Sequence, residues 1–255
     1  MKKLIIYDES CPMCKLYTKG MVAADTSGCL TRLGNGQVTQ ETIKRIDKQR
    51  ARHEIPLVDL DGGETLYGVD TWIYAFSQQN KQLKKLLSLN WIKSCLQTLY
   101  AFISYNRRII ITSAPGHWNL LDLQPDFRLD YRLAFIITVF GLVGGLAAIV
   151  HFPIWLPATL LLIISQLLIA SLYIAKRPDG DFRQTMLDYT GHLGMSLLTG
   201  GFVSTIGFTT GWPALIQIGG ALVIGQHFIR CYRLGLSPWL SVCFASLFFL
   251  LIIPY

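Results

Sequence analysis

Three stretches of this chain carry no charged residue, 133–175, 189–229 and 234–255, and they dictate most of what it can fold into. A helix needs about 20 apolar residues to cross roughly 30 Å of hydrocarbon. The first two stretches are therefore each long enough for a pair of helices, and the third for one. Turn-forming breaks fall inside both long stretches, at His151-Phe152-Pro153 and at Thr209-Thr210-Gly211-Trp212-Pro213. Five spans are expected, about 133–151, 154–175, 189–208, 213–229 and 237–254. The competitor has four, with the short last segment lying in the interface. Gly141 and Gly145 form a GxxxG pattern that brings helices close in other membrane proteins.

Charge separates the chain in two. Of 23 Lys/Arg and 16 Asp/Glu, only Arg132, Lys176, Arg177, Arg183, Arg230, Arg233 and three aspartates follow Asp130. Threading five spans gathers these basic residues on one side, which by the positive-inside bias puts the N-terminal half in the cytosol and Tyr255 outside. The net charge of +7 has the same origin and does not point to nucleic acid. The apolar run after Met1-Lys2-Lys3 ends at Asp8, short of the roughly 7 to 15 residues of a signal core. The expectation is a multi-pass protein of the lipid bilayer, in a bacterial inner membrane, with a cytosolic N-terminal domain.

In the polar half, Leu4-Ile5-Ile6-Tyr7 reads as a buried strand, followed by a helix from Cys11 or Pro12 to about Ala24. Cys29 to Leu33 suits a second strand, and Gln40 to Arg52 an exposed helix. Ile55 to Leu60 and Glu64 to Tyr67 read as strands joined by a tight Asp61-Gly62 turn. A helix from Val69 through Phe76 and helical segments over 81–110 follow. That order is the order of a thioredoxin-like domain over 1–111. A linker is expected at 112–130, from the turn-forming Ser113-Ala114-Pro115-Gly116 and Gln124-Pro125-Asp126, then the transmembrane domain at 131–255. The fold class is α/β thioredoxin-like followed by an all-α transmembrane bundle.

The chemistry sits in Cys11-Pro12-Met13-Cys14, which opens the first helix directly after the first strand. Cysteines three apart on one turn can close a disulfide when the first occupies the cap. The free N–H groups there stabilise a thiolate on Cys11, while Cys14, a turn further in, acts as the resolving thiol. Pro12 suits the first turn because its missing N–H is not needed there. Half a zinc site is the competing reading. The remaining candidates Cys29, His53 and Cys95 are not in ligand spacing, so no metal site is expected.

Tyr7-Asp8-x-x-Cys11-x-x-Cys14 resembles the signature of the DCC family of predicted thiol-disulfide oxidoreductases. Val58-Asp59-x-Asp61-Gly62 with Gly68-Val69-Asp70, and Tyr105-Asn106-Arg107, resemble later segments of that family, so the likeness covers about residues 3–110. Glu9 stands where members usually have glycine. The resemblance implies dithiol–disulfide exchange without a required cofactor, on a thiol or disulfide substrate it does not name. Ile55-Pro56 also resembles the cis-proline of glutaredoxins and thioredoxins, which implies Pro56 beside Cys11. Asp8 reads either as a base or polar partner for Cys14 or as a cap for its loop.

His192 and His227 are the sharpest features of the membrane half, each about one turn from the expected cytosolic helix end, where they can face one another and hold a haem iron or a quinone head group. The bland alternative is a hydrogen bond to a neighbouring helix or lipid head group. Gln166, Gln217 and Gln226 read as interhelical hydrogen-bonding groups. The contrasting function is a non-enzymatic multi-pass protein, a transporter or scaffold subunit, whose N-terminal domain binds a partner or a metal.

Overall fold

The structure, a computed structural model, describes residues 2–77, 80–113, 120–178 and 180–252, the side chains of 77, 81 and 151–155 excepted. It divides between Arg128 and Leu129 into two compact units.

The first unit is built on a four-stranded mixed sheet. Strands β1 (Lys3–Tyr7), β2 (Leu30–Gly34), β3 (Pro56–Asp59) and β4 (Leu66–Tyr67) lie in the order β2-β1-β3-β4. β1 runs parallel to β2 and antiparallel to β3, and β3 antiparallel to β4. Alternation along the strands gives each face its own core. Ile5 and Leu57 pack with Met21 and Ala75, while Ile6 and Val58 pack with Val38, Ile43 and Leu121. Burying such a side chain fully contributes about 1.5–3 kcal/mol. The helices are α1 (Pro12–Ala23), α2 (Gln40–Lys44), α3 (Lys48–Ala51), α4 (Val69–Ser77), α5 (Lys81–Leu87) and α6 (Asn90–Ile110).

Three expectations for this unit need correction. The helix expected over 40–52 is two short ones, because the Asp47 carboxylate takes the Gln49 and Arg50 N–H groups and restarts the chain as a new cap. The tight hairpin is a longer connection: Leu57 pairs with Leu66, and Asp59 draws the Asp61 N–H into a side-chain turn before Gly62 at φ 100°. The segment 120–128 is no linker. Leu121 and Leu123 are buried in the Ile6 core, and Arg52 grips Asp126 at 2.7 Å. Turn-forming dipeptides around two alternating leucines conceal a core segment; the Ala114-Pro115-Gly116 part of that expectation lies outside the described residues.

The second unit is helical: α7 (Leu129–Ala175), α8 (Phe182–Thr210), α9 (Pro213–Arg233) and α10 (Pro238–Leu251). Among the described residues four segments are long and apolar enough to cross a membrane, Leu129–Val150, Leu156–Ala175, Phe182–Thr210 and Pro213–Arg233. The fifth expected span is α10, whose 14 residues rise only about 21 Å, short of the hydrocarbon depth. The break at 209–213 falls as expected: Gly211 ends α8 in the left-handed conformation at φ 71°, and Pro213 opens α9. At 151–153 the backbone stays helical, since a proline removes one donor and bends a helix more readily than it ends one. The close helix approach is also elsewhere than Gly141 and Gly145, where an added Cβ would meet nothing within 4 Å. It is at Gly200 and Gly219, where a Cβ would collide with the facing helix's backbone.

Candidate functional site

The dithiol sits where β1 ends and α1 begins. Cys11 is the N-cap of α1, extended at φ −96° and ψ 109°, with Pro12 in the first turn. A cap residue normally offers a side-chain oxygen to the third helical N–H. Here the acceptor is sulfur, Cys11 Sγ taking the Cys14 N–H at 3.4 Å. Both cysteines are free thiols and both are buried. Cys14 Sγ in turn receives the Tyr17 hydroxyl at 3.7 Å, and Tyr17 packs on Trp72 at 5.3 Å between ring centroids.

Electrostatics divide the two sulfurs. The hydrogen bond from the Cys14 thiol does most to lower the Cys11 pKa, to about 6, with help from the Arg107 charge and the Cys14 N–H and against burial and Asp8. The same bond, with Cys14 as donor, and then burial push the Cys14 thiol well above its ordinary range. The leading sulfur is a thiolate at neutral pH and the following one holds its proton.

In the sequence Arg107 is only part of a motif, with no role attached. It lies on the inward face of α6, with its side chain 7% exposed. Its guanidinium donates to the Leu123 carbonyl and to Ser104 Oγ and approaches Asp8 Oδ2 at 3.6 Å. The signal that could have found it is Ser104, Asn106 and Arg107 together, three polar residues on the buried side of an amphipathic helix. A buried arginine needs a negative partner, and Asp8 with the Cys11 thiolate supplies it.

Asp8 takes the capping role. Its Oδ1 accepts from Ser10 N at 2.9 Å and Ser10 Oγ at 2.6 Å, and its backbone carbonyl accepts the Cys11 N–H. Glu9 is held by its N–H on Asn35 Oδ1 at 3.1 Å. Pro56 opens β3, and since Ile5 pairs with Leu57, it stands at the end of β1 from which the Cys11 loop departs. The cis expectation fails, since the Ile55–Pro56 peptide is trans.

In the helical unit a second polar cluster is buried. Gln166 Nε2 donates to the Leu240 carbonyl at 3.0 Å and to the Tyr189 hydroxyl at 2.7 Å, which frees the hydroxyl proton for His227 Nε2 at 3.0 Å. His227 Nδ1–H then donates to Ser241 Oγ at 2.9 Å. This chain ties α7, α8, α9 and α10 together, and the His227 ring stacks on Phe244 at 4.2 Å. His192 is buried separately, its Nδ1 accepting from Arg230 at 3.2 Å. With both His227 nitrogens engaged, no lone pair remains for an iron, so the pair does not fit haem ligation. Of the three glutamines, Gln166 bridges helices as expected, while Gln226 bonds Arg230 on its own helix. Cys231 Sγ lies 3.7 and 3.8 Å from the two His227 nitrogens. Among the described residues no group of three His, Cys, Asp or Glu is arranged to hold a metal ion.

Comparison with protein-family models, with curated proteins and with solved structures finds no match for this chain.

Proposed function

We propose that the protein is a membrane-anchored thiol–disulfide oxidoreductase whose dithiol domain faces the cytosol. The observation that carries it is the asymmetric sulfur pair, with Cys11 as thiolate cap of α1 and Cys14 as its protonated donor one turn on. The sheet order β2-β1-β3-β4, with the dithiol between β1 and α1, supports a thioredoxin-like domain and the DCC likeness. The basic residues gathered at the Arg132, Lys176 to Arg183 and Arg230 to Arg233 helix ends support the orientation.

The thiolate of Cys11 attacks one sulfur of a substrate disulfide, forming a mixed disulfide and expelling the other sulfur as a thiolate that takes up a proton. Consuming the Cys11 thiolate removes the acceptor of the Cys14 hydrogen bond, so Cys14 can give up its proton beside the Arg107 charge. Its attack on Cys11 releases the second substrate sulfur and leaves a Cys11–Cys14 disulfide. Two electrons have passed to the substrate; run backwards, a substrate dithiol reduces the pair. Cys11 is fully buried, so each cycle includes a local opening of the 8–11 loop.

That burial is also what favours the contrasting reading, a scaffold or transporter subunit with an inert dithiol. Trapping separates the two. A Cys14→Ser variant should retain a substrate protein as a mixed disulfide that Cys11→Ser,Cys14→Ser does not; equal recovery from both would refute the exchange reaction. Orientation is tested with a membrane-impermeant maleimide: exposed Cys95 should label only after cells are opened.

A further inference from the structure

The helical unit holds a partly open cavity of about 590 Å³ that neither the dithiol chemistry nor the His227 cluster uses. It lies towards Val150 of α7, Phe208 of α8, Ile216 of α9 and Ile252 of α10. Its buried floor is Leu162, Leu197 and Val223; Leu162 and Val223 stand one helical turn from Gln166 and His227. The volume is that of a drug-sized ligand site.

Residue choice keeps it open. Two glycine pairs face one another across α8 and α9, and only one member of each is needed for packing: Gly200 and Gly219, where a Cβ would collide. At their neighbours Gly201 and Gly220 a Cβ would find its nearest atoms at 3.8 and 3.5 Å, an ordinary contact. Glycine is the poorest helix former after proline, so helix packing does not account for these two. What their missing side chains leave is room in the cavity wall.

The lining also describes the occupant. Among the described residues no charged side chain lines the cavity, so the ligand is neutral. Phe208, Phe248 and Phe249 line it with aromatic rings, which suit a flat group. The Ser204 and Thr205 hydroxyls are spent on the Ile216 and Gly201 carbonyls. The exposed Gln217 amide of α9 and the half-buried Thr159 hydroxyl of α7 also line the cavity, with no hydrogen-bond partner among the described residues. Donors facing an apolar void are matched by a ligand acceptor.

We propose that this cavity binds a neutral, lipid-soluble quinone-type molecule, its ring between the phenylalanines and a ring carbonyl accepting from the Gln217 amide. The site is independent of the dithiol reaction, and binding alone is inferred. The full-length protein in detergent is titrated with decylubiquinone, read by quenching of its tryptophan fluorescence, with melting temperature measured in parallel. Wild type should bind saturably. Gln217→Leu, which keeps the volume and removes the amide, should weaken binding about tenfold or more, and Gly220→Leu, which fills the void, should do the same without lowering the melting temperature. Should Gly220→Leu fail to fold, Gln217→Leu decides alone. Non-saturable quenching in the wild type overturns the proposal, as does undiminished affinity of Gln217→Leu. So does a co-purified phospholipid, identified by mass spectrometry, that decylubiquinone does not displace, because the void is then an acyl-chain slot. None of these failures touches the trapping result for Cys11.

Discussion

Removing the Cys14 thiol is the sharpest test of what makes Cys11 reactive. In Cys14→Ala the α1 N–H groups and Arg107 remain, but the side-chain donor that does most to hold Cys11 at about 6 is gone. A hydrogen bond to a charged group is worth about 1.5–3 kcal/mol, which at 1.36 kcal/mol per pH unit moves the midpoint up by about one to two. The Cys11 thiolate should then titrate between about 7 and 8. Cys14→Ser, which restores an O–H donor, should stay near the wild-type value, and Arg107→Met should raise the midpoint by less than Cys14→Ala, since its charge is the weaker cause. The ultraviolet absorption of the thiolate, followed against pH, reads all four proteins without requiring reagent access to a buried sulfur. An unchanged midpoint in Cys14→Ala, or a larger rise in Arg107→Met than in Cys14→Ala, would refute the account of the pair.

The same depression predicts how stability depends on pH. A thiol whose folded value lies near 6 against an ordinary 9 binds fewer protons folded than unfolded between those limits, so the reduced protein gains stability as pH rises through that window, by at most about 4 kcal/mol at its top. Thermal melts of reduced wild type against Cys11→Ser should diverge over pH 6 to 9 and converge below it; the raised Cys14 opposes the trend only above its own unfolded value. In the helical unit, Tyr189→Phe leaves Gln166 and His227 each short of a partner and should lower stability in detergent by about 1 kcal/mol, and a melting temperature at or above wild type would contradict the directional chain. Gly219→Leu drives a side chain into Ser204 and the Gly200 carbonyl, and should abolish the folded helical signature by circular dichroism, whereas Gly141→Leu should leave it intact.

What the sequence determined by itself was whatever repeats locally. Charge-free stretches of spanning length, the Gly211-Trp212-Pro213 break, the short apolar strand holding Ile5 and Ile6 and the cysteine spacing each follow from a few adjacent residues, because hydrocarbon depth, strand burial and helix pitch act on adjacent residues. Tertiary structure alone decided what depends on neighbours far along the chain. Arg107 reaches the dithiol from nearly a hundred residues away, and Leu121 and Leu123 look like linker until the Ile6 face receives them. His227 lost its free nitrogens to Tyr189 and Ser241 on two other helices. No local pattern separates Gly219, which a Cβ would ruin, from Gly220, which has room for one; that difference exists only once α8 and α9 are packed and each backbone position acquires a particular opposite side.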